Sequence, residues 1–428
     1  MPRSCLHRRR GRENYRSSLP NSQTPHRLLG RVYRALNPRN LFLGLPTSLR
    51  QPPIASICAQ DLSLAAGPFA FKIKGSNSIA GATAAARSPS KMKNQNFVSV
   101  EICAGAGGQA LGLEMAGFGH SALVENDSSA CQTLRLNRPQ WNVVEGDLRA
   151  FSGIPYKGAD LLAGGVPCPP FTIAGKQLGE EDERDLFPEA LRLVEEICPV
   201  AVMLENVPGF ASSKFAGYRN RIIGRLESLG YYADWRILNA CDFSVPQLRP
   251  RCILVALKSE FADFFSWPEP HEHRVSVGEA LYDLMTVGGW PGAREWKAKA
   301  SGVAPTIVGG SKKHGGPDLG PTRAKSQWAE MGVDGLGIAD APPTEDFSSD
   351  KMPRLTVRMA ARIQGFPDSW QFSGKKTASY RQVGNALPPP VARAVGDRIR
   401  SALMKQPVNS RKTGTQISLF AASQLVPV

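Results

Sequence analysis

One cysteine lies where a nucleophile is usually held. Residues 164–173 read GGVPCPPFTI, so Cys168 follows two glycines and stands between prolines. The apolar run 161–163 precedes this stretch and predicts a buried strand. Prolines restrict the backbone around the thiol, and the carboxyl end of a strand is a common position for a nucleophile in an α/β sheet. Cys168 is therefore a candidate nucleophile, and the alternative is a buried cysteine beside a proline-rich turn.

A carboxylate and two guanidinium groups follow further along the chain. Glu205 closes the apolar run 200–204, and a buried carboxylate is costly unless it has a partner or a function. We expect it at the same sheet edge as Cys168, where an acid and a thiol form a plausible catalytic pair. Arg249 and Arg251 stand at i and i+2 in QLRPR, so an extended backbone points both in one direction. The paired N–H donors of a guanidinium suit phosphates or base edges. The alternative is a solvated turn with two surface arginines.

A glycine-rich turn near the start of the patterned region predicts a cofactor site. Alternating apolar residues at 98–102 lead into CAGAGG, residues 103–108, and a helix is predicted next. Such glycines let a ligand approach the backbone beside a helix N-terminus. Glu125 ends a second strand about 20 residues on, where a carboxylate can bind ribose hydroxyls, and Asp147 follows a third strand predicted at 141–144. Together these features predict an adenosine-bearing cofactor across the ends of parallel strands.

These positions require an α/β sheet and a second, smaller module. Alternating strand and helix patterns cover residues 96–257, and regular patterning resumes over residues 353–404. Between them, residues 258–352 are rich in Trp, Gly, Pro, His and Lys with poor periodicity. We interpret that segment as a loop-rich module with basic and aromatic groups for DNA contacts; an irregular insertion is the alternative. Residues 405–428 read as a polar, flexible tail.

Composition limits the class of protein. The 428 residues carry a formal charge of +15, but residues 1–91 hold 15 Lys and Arg against two acids. Residues 92–428 therefore hold 37 Lys and Arg against 35 acids and are nearly neutral. A DNA-binding face must therefore come from a local arrangement of charge. Eight scattered cysteines without a CxxC pair disfavour a zinc site or a disulfide framework and favour a reducing compartment. No uninterrupted run of about 18 apolar residues predicts a membrane span.

Residues 1–95 have no sustained periodicity and are rich in Arg, Ser, Pro and Ala, which is typical of a disordered leader. An organelle transit peptide and a nonspecific DNA-binding arm are alternatives. Met92 lies just ahead of Phe97, where patterning begins, and this favours a translation start at or near Met92. We expect no chemistry in the leader.

The order of motifs resembles that of the DNA cytosine-5 methyltransferases, in particular the bacterial modification methylases. The likeness extends over about residues 98–403. It rests on the glycine turn, PCPP, ENV at 205–207, QLRPR at 247–251, RLTVRMAARIQGFPDSW at 354–370 and GNALPPPVA at 384–392. The resemblance implies a Rossmann-like S-adenosylmethionine-dependent domain with a smaller target-recognition domain at 258–352. It implies methylation of carbon 5 of cytosine in a short duplex DNA sequence, without a metal.

The resemblance also implies roles for individual residues. The cofactor site would comprise the turn (Cys103, Ala104, Gly105 and Gly108), Glu125 on the ribose, Asp147 on the adenine amino group, and Asn385 with the backbone near Leu387. The catalytic site would comprise Cys168 as the nucleophile toward a flipped-out base, Glu205 as its acid partner, and Arg249 and Arg251 as ligands of the base and its phosphates. Two residues depart from the family pattern. Cys103 replaces a Phe that packs on the cofactor, which we expect to weaken that packing, and Met359 replaces a Glu, which we expect to be structural.

Three other functions compete with this interpretation. The same chemistry could act on RNA, but the size of the segment 258–352 favours duplex DNA. A DNA-binding regulator on a degenerate methyltransferase fold is disfavoured because Cys168, Glu205, Arg249 and Arg251 are all present. An NAD-dependent enzyme is disfavoured because the turn does not read GxGxxG.

The tail contains one further short motif. Residues 416–420, QISLF, resemble the peptide with which bacterial proteins bind the replication sliding clamp. We therefore expect the clamp as a partner in addition to double-stranded DNA. We also expect a monomeric protein without a membrane contact, located in the bacterial cytoplasm in association with the nucleoid.

Overall fold

The apolar runs of the sequence form one mixed sheet. The computed structural model describes residues 96–167, 185–310, 316–348 and 350–408, and these contain seven strands. In chain order the strands are β1 (Phe97–Ile102), β2 (Phe118–Glu125), β3 (Val143–Glu145), β4 (Leu161–Gly165), β5 (Ala201–Asn206), β6 (Tyr231–Asn239) and β7 (Pro250–Lys258). Their spatial order is β3-β2-β1-β4-β5-β7-β6. Strand β7 is antiparallel to both of its neighbours, β5 and β6, whereas the other neighbouring strands are parallel. The carboxyl ends of β1 to β5 therefore share one edge, where ligands bind in such sheets.

Helices pack on both faces of this sheet. The α-helices of the described residues are α1 (Gly108–Met115), α2 (Ser128–Asn137), α3 (Phe187–Ile197), α4 (Ala216–Ser228), α5 (Ser259–Ala262), α6 (Val277–Thr286), α7 (Ala293–Lys299), α8 (Thr322–Glu330), α9 (Val357–Ile363), α10 (Lys376–Asn385) and α11 (Pro389–Leu403). In β4, Leu162 belongs to a core with α3 and α4, whereas Leu161 and Ala163 belong to a core with α11. Burial on both faces explains why the central strands read as continuous apolar runs.

Close packing of α1 and α11 returns the end of the described chain to the glycine turn. Proline at the start of α11 suits a first helical turn, where the missing N–H has no partner. Where the two helices meet, a Cβ on Gly112 would lie 2.5 Å from the Cβ of Ala392. A Cβ on Gly396 would lie 2.9 Å from that of Ala116. Small residues therefore allow the approach that places residues 384–387 beside the turn.

The segment 258–352 is more regular than its sequence indicates. It contains α5 to α8, and its described residues form no strand longer than an isolated bridge. Leu281, Trp296 and Trp328 are buried in one core that also includes Ala104 and Leu111 beside the glycine turn. Helices of four to ten residues present too few turns for the apolar period to be visible in sequence. The domain boundaries at 258 and 352 stay a prediction.

The third strand begins two residues later than predicted. Trp141 was expected within it but precedes β3, and its ring packs edge-on against His120 at a centroid distance of 4.8 Å. The rings of Trp141 and Trp370 also pack together, with their centroids 6.1 Å apart. No helix within the described ranges is both long and apolar enough to cross a membrane.

Candidate active site

The glycine turn joins β1 to α1 and has one open side. Cys103, Gly105 and Gly107 adopt left-handed backbone conformations, with φ of 52°, 54° and 84°. A Cβ on Gly105 would meet nothing within 4 Å, so a ligand can approach the backbone there. A Cβ on Gly108, by contrast, would collide with the carbonyl oxygen of Leu387. The turn thus presents backbone to open space on one side and packs on residues 386–387 on the other.

Glu125 is buried at the end of β2 beside this turn. Its Oε2 accepts a hydrogen bond from the backbone N–H of Gly105 at 2.7 Å. Its Oε1 accepts from the backbone N–H groups of Asn126 at 2.9 Å and Asp127 at 2.7 Å. Three backbone donors fix the direction of the carboxylate, and Oε2, which accepts only one of these bonds, retains acceptor capacity for a ligand hydroxyl. The geometry fits the sequence prediction of a ribose-binding acid.

Asp147 continues the same edge beyond β3. The backbone N–H of Gly146 donates to the carbonyl of Glu125 at 2.9 Å, which places the two acids on adjacent strand ends. The Asp147 side chain is 54% exposed, and a Cβ on Gly146 would meet nothing within 4 Å. A hydrogen bond from the Arg149 backbone N–H, followed by the charge of Arg149, holds the pKa of Asp147 below its ordinary value. Asp147 is therefore an ionised acceptor that an adenine amino group can reach.

Asn385 and Leu387 lie on opposite sides of the turn that follows α10. The carbonyl of Leu387 packs on Gly108, as expected for a segment of the cofactor site. The Asn385 side chain instead donates from Nδ2 to the carbonyl of Gly310, at 3.2 Å. In this arrangement it contacts the segment 258–352 rather than the glycine turn. Its role toward the cofactor stays a prediction.

Glu205 and Arg251 form a buried ion pair on β5 and β7. Arg251 Nε lies 2.8 Å from Glu205 Oε1, and both side chains are only 12% exposed. Burial raises the pKa of Glu205 above its ordinary value, although the charges of Arg251 and Arg249 lower it. A raised pKa brings this carboxyl closer to the range in which a general acid can donate a proton to a substrate. The pair therefore has the electrostatics of a catalytic acid with an orienting guanidinium.

The chain enters the candidate nucleophile loop directly beside Glu205. Gly165 is paired with Glu205 across β4 and β5, and a Cβ on Gly165 would lie 3.3 Å from Glu205 Oε2. Asn206 Nδ2 donates to the carbonyl of Val166 at 3.4 Å. Cys168, two residues further on, lies outside the described residues, so its role as nucleophile stays a prediction.

Arg249 is placed differently from its neighbour Arg251. It is 1% exposed. Its Nη1 donates to the carbonyl of Ile307 at 2.7 Å, and its Nη2 donates to the carbonyls of Gly384 at 2.7 Å and Ala386 at 3.0 Å. This geometry differs from the direct contact with the target base that the sequence predicts, because both η nitrogens are already bonded to carbonyls. Burial, and then the charge of Arg251, lower its pKa.

The two departures from the family pattern have different surroundings. Met359 is fully buried at the start of α9, where Thr356 Oγ1 accepts from its N–H at 3.2 Å and its sulfur accepts from the Thr356 N–H at 3.5 Å. The sulfur thus occupies the acceptor position of a capping box, which agrees with the structural role expected for Met359. Burial, and then the charges of Glu125 and Asp147, raise the pKa of Cys103, so its thiol stays protonated.

Trp370 supports the glycine turn but was missed in the sequence. Its Nε1 donates to the carbonyl of Ala106 at 3.2 Å, and its ring lies 3.0 Å from where a Cβ on Gly107 would stand. The guanidinium of Arg138 lies 5.3 Å from the ring centroid. The only available signal was a large aromatic residue at the end of the motif 354–370.

The sheet order, the open glycine turn and the acids at the ends of β2 and β3 define an S-adenosylmethionine-dependent methyltransferase domain. Residues 97–401 match the model of the C-5 cytosine-specific DNA methylase family. The chain belongs to this family, and it is a DNA cytosine-5 methyltransferase. The α/β fold class, the reaction and the cofactor predicted from the sequence are thereby confirmed.

Curated relatives are similar over most of their length. The type II methyltransferase M.NgoMIV of Neisseria gonorrhoeae is 58% identical over 314 residues, which cover 72% of this chain and 99% of that protein. The type II methyltransferase M.NaeI of Lentzea aerocolonigenes is 58% identical over 313 residues, which cover 72% of this chain and 76% of that protein. The type II methyltransferase M.Eco47II of Escherichia coli is 38% identical over 347 residues, covering 75% and 82%.

Solved structures share the fold. A DNA modification methyltransferase encoded within an E. coli prophage superposes with a TM-score of 0.52 at 24% identity, covering 72% of this chain and 99% of that one. The Entamoeba histolytica methyltransferase EhMeth superposes with a TM-score of 0.53 at 16% identity, with the same coverage.

Proposed function

We propose that this protein is a modification methyltransferase that methylates one cytosine within a short duplex DNA sequence. Support for a sequence-specific modification role comes from the relatives at 58% identity, which are named type II methyltransferases. The observation that carries the chemistry is the buried Glu205, whose pKa is raised although Arg251 is bonded to it. It lies beside the strand that leads to Cys168.

Carbon 5 of cytosine is too weak a nucleophile to take a methyl group directly, so the chain must activate the ring. In the proposed mechanism the Cys168 thiolate adds to carbon 6, and the displaced electron pair moves toward ring nitrogen 3. Glu205 donates a proton to that nitrogen and thereby stabilises the enamine, while Arg251 holds the carboxyl in position. S-adenosylmethionine supplies the electrophilic methyl group that carbon 5 attacks. S-adenosylhomocysteine is the leaving group of this transfer. Loss of the carbon 5 proton to solvent then expels the Cys168 thiolate, and ring nitrogen 3 returns its proton to Glu205, which restores the aromatic ring.

The geometry of this sheet edge supports the proposed cofactor residues. Glu125 would bind the ribose hydroxyls, because its direction is fixed by backbone donors and it adjoins the open side of the turn at Gly105. Asp147, more exposed and one strand further out, would accept from the adenine amino group. The backbone of residues 103–108 and of Leu387 would line the remainder of the site.

The DNA must reach this edge with its target base extruded, because the reacting atoms lie within the base stack of a duplex. We propose that residues 258–352 bind the duplex and select the target sequence. We also propose that the enzyme acts as a monomer on nucleoid DNA in the bacterial cytoplasm.

Methyl transfer to DNA tests the reaction. Purified full-length protein is incubated with tritiated S-adenosylmethionine and, in parallel reactions, plasmid DNA or transfer RNA, and the plasmid is then sequenced after bisulfite treatment. We expect label in DNA and protected cytosines within one short motif, and neither in Cys168→Ser. Label in transfer RNA but not in DNA would overturn the DNA substrate. An active Cys168→Ser variant would overturn the covalent mechanism.

A second proposal concerns residues 416–420, which lie outside the described residues and rest on the sequence alone. We propose that QISLF binds the bacterial sliding clamp as a short peptide. Size-exclusion chromatography of the protein with purified clamp should give co-elution, and Gln416→Ala with Phe420→Ala should abolish it. A Gln424→Ala variant serves as the matched tail control, and the protein alone should elute as a monomer. Separate elution of the intact protein and clamp would contradict the proposal.

A further inference from the structure

Three polar side chains are buried between the sheet, the segment 258–352 and the turn at residues 384–387, which follows α10. Gln247 and Gln364 are 0% exposed and Arg249 is 1% exposed. Gln247 and Arg249 shortly precede β7, whereas Gln364 directly follows α9. Polar groups are costly in such a position unless all their hydrogen bonds are made between fixed partners. Their partners therefore show which segments the fold holds together.

Ile307 is bound through both of its backbone polar groups. Its N–H donates to Gln247 Oε1 at 2.7 Å, and its carbonyl accepts from Arg249 Nη1 at 2.7 Å. Gln247 Nε2 donates in turn to Gln364 Oε1, at 2.6 Å. Ile307 belongs to the proposed target-recognition segment, so these bonds fix that segment to the start of β7.

Arg249 and Gln364 also bind the turn at residues 384–387. Arg249 Nη2 donates to the carbonyls of Gly384 and Ala386, and Gln364 Nε2 donates to the carbonyl of Ala386 at 2.5 Å. The next residue, Leu387, packs through its carbonyl on Gly108 of the glycine turn. One guanidinium therefore spans Ile307 on one side and residues 384–386 on the other.

Direct backbone packing brings the two segments together at the same place. A Cβ on Gly384 would collide with the backbone of Gly309, and a Cβ on Gly309 would lie 2.5 Å from Asn385 Oδ1. The Asn385 amide also donates to the carbonyl of Gly310. Glycines at 309 and 384 thus permit direct contact between the backbones of the two segments.

We propose that Arg249, with Gln247 and Gln364, is a positioning residue that couples cofactor binding to DNA binding. This inference rests on the proposed function, which places the cofactor beside residues 384–387 and the DNA on residues 258–352. If either segment moved alone, the guanidinium would lose carbonyl partners while remaining buried, which is strongly unfavourable. The two segments must therefore shift together, and a ligand that favours one arrangement of the first favours the same arrangement of the second. Arg251, two residues further along the chain, links this arrangement to Glu205.

The experiment measures a coupling factor, defined as the Kd for target duplex without S-adenosylhomocysteine divided by the Kd with it at saturation. Fluorescence anisotropy of the labelled duplex gives both values for the full-length protein, and calorimetry gives the Kd of S-adenosylhomocysteine alone. We expect a factor on the order of 10 for the wild type, within the usual range for coupled sites. Arg249→Lys retains the charge but replaces the two η nitrogens, which bond carbonyls of separate segments, by a single nitrogen, and its factor should fall below about 2.

Two further variants make the result specific. Gln364→Met removes the bond to Ala386 without touching a guanidinium and should also lower the factor, which keeps the test valid if Arg249→Lys does not fold. Arg225→Lys changes an exposed arginine paired with Glu195 on the far helices and should leave the factor unchanged. Thermal unfolding of each variant identifies those that are folded.

Three outcomes would overturn the inference. If the wild type binds S-adenosylhomocysteine but its DNA affinity does not change, there is no coupling to transmit. If folded Arg249→Lys and Gln364→Met keep the wild-type factor, the network does not carry it. If Arg249→Lys weakens DNA binding equally with and without S-adenosylhomocysteine, Arg249 contacts the DNA directly. A wild type that neither binds S-adenosylhomocysteine nor methylates DNA would overturn the proposed function itself, and the inference with it.

Discussion

Glu125 and Glu205 show how one residue type serves two purposes at the same sheet edge. Glu125 ends β2 and Glu205 lies near the end of β5, and each residue is 9% exposed. Glu125 accepts from three backbone N–H groups, a set of donors that suits an ionised acceptor. Glu205 has one guanidinium partner, and burial raises its pKa in spite of that partner. Position and burial are therefore similar, and it is the hydrogen-bond partners that distinguish the proposed ribose-binding glutamate from the proposed proton donor.

Removing the proton of Glu205 should have the largest effect. Glu205→Gln keeps the shape and the contact with Arg251 but cannot protonate ring nitrogen 3. We expect kcat to fall by about 10²–10⁴-fold, the usual contribution of a positioned general acid. The Kd for S-adenosylhomocysteine should change little. Single-turnover methyl transfer and calorimetry measure the two quantities, and a variant with more than about a tenth of wild-type kcat would contradict the proposed role.

The pH dependence of the same step has a defined sign. Because Glu205 must be protonated to act, the step that it assists should slow as pH rises through its pKa, which is raised above the ordinary value. In Glu205→Gln this alkaline decline of kcat should disappear. A decline that persists unchanged in the variant would assign the titration to another group.

Glu125→Gln should affect binding rather than chemistry. The amide keeps one acceptor oxygen but loses the second acceptor and the charge, and hydrogen bonds to charged groups contribute about 1.5–3 kcal/mol. We expect KM for S-adenosylmethionine to rise by roughly 10–150-fold with kcat within about threefold. Initial rates over a range of cofactor concentrations provide both parameters. A variant with unchanged KM and a lowered kcat would reverse the contrast between the two glutamates.

Asp147→Asn should give a smaller change at the same end of the site. The side chain is about half exposed, so water competes for its hydrogen bonds. The amide oxygen can still accept from the Arg149 backbone N–H and from an adenine amino group. We expect the Kd for S-adenosylhomocysteine to rise by about 2–10-fold, less than in Glu125→Gln. An effect as large as that of Glu125→Gln would mean that exposure does not weaken this contact.

The sequence predicted the acids at the sheet edge better than it predicted the direction of Arg249 or the helices of the segment 258–352. Acids after β2, β3 and β5 were identifiable because a period of two and an apolar run locate strand ends within a few residues. The inward direction of Arg249 was not identifiable, because its partners are 58 to 137 residues away. Spacing at i and i+2 describes only the local backbone. The helices of the segment 258–352 were missed for a related reason: their burial depends on tryptophans such as Trp296 and Trp328, which meet only in the folded core.

Glu101 provides the control for Glu125 and Glu205, since it is another buried glutamate, on β1, with no assigned role. It is 1% exposed, and within the described part of the chain neither carboxyl oxygen has a hydrogen-bond partner of ordinary geometry. Burial raises its pKa well above the ordinary value of 4.5, against the lowering effect of the nearby Ala110 backbone amide. Partners, rather than burial alone, should therefore decide function, and Glu101→Gln should leave kcat and KM unchanged.

The pH dependence of the free energy of unfolding should show the effect of burying Glu101, although activity should not. The folded protein keeps its proton to a higher pH than the unfolded chain does, so this group favours folding fully below about pH 4.5 and progressively less as pH rises toward the folded-state pKa. One such group changes the free energy of unfolding by at most about 1.4 kcal/mol per pH unit. Glu101→Gln removes the titrating proton, so urea unfolding at about pH 6 and about pH 8 should show a smaller loss of stability in the variant than in the wild type. Equal losses would mean that Glu101 titrates alike in both states, whereas a fall in kcat would give this carboxyl a part in the reaction and remove the contrast with Glu205.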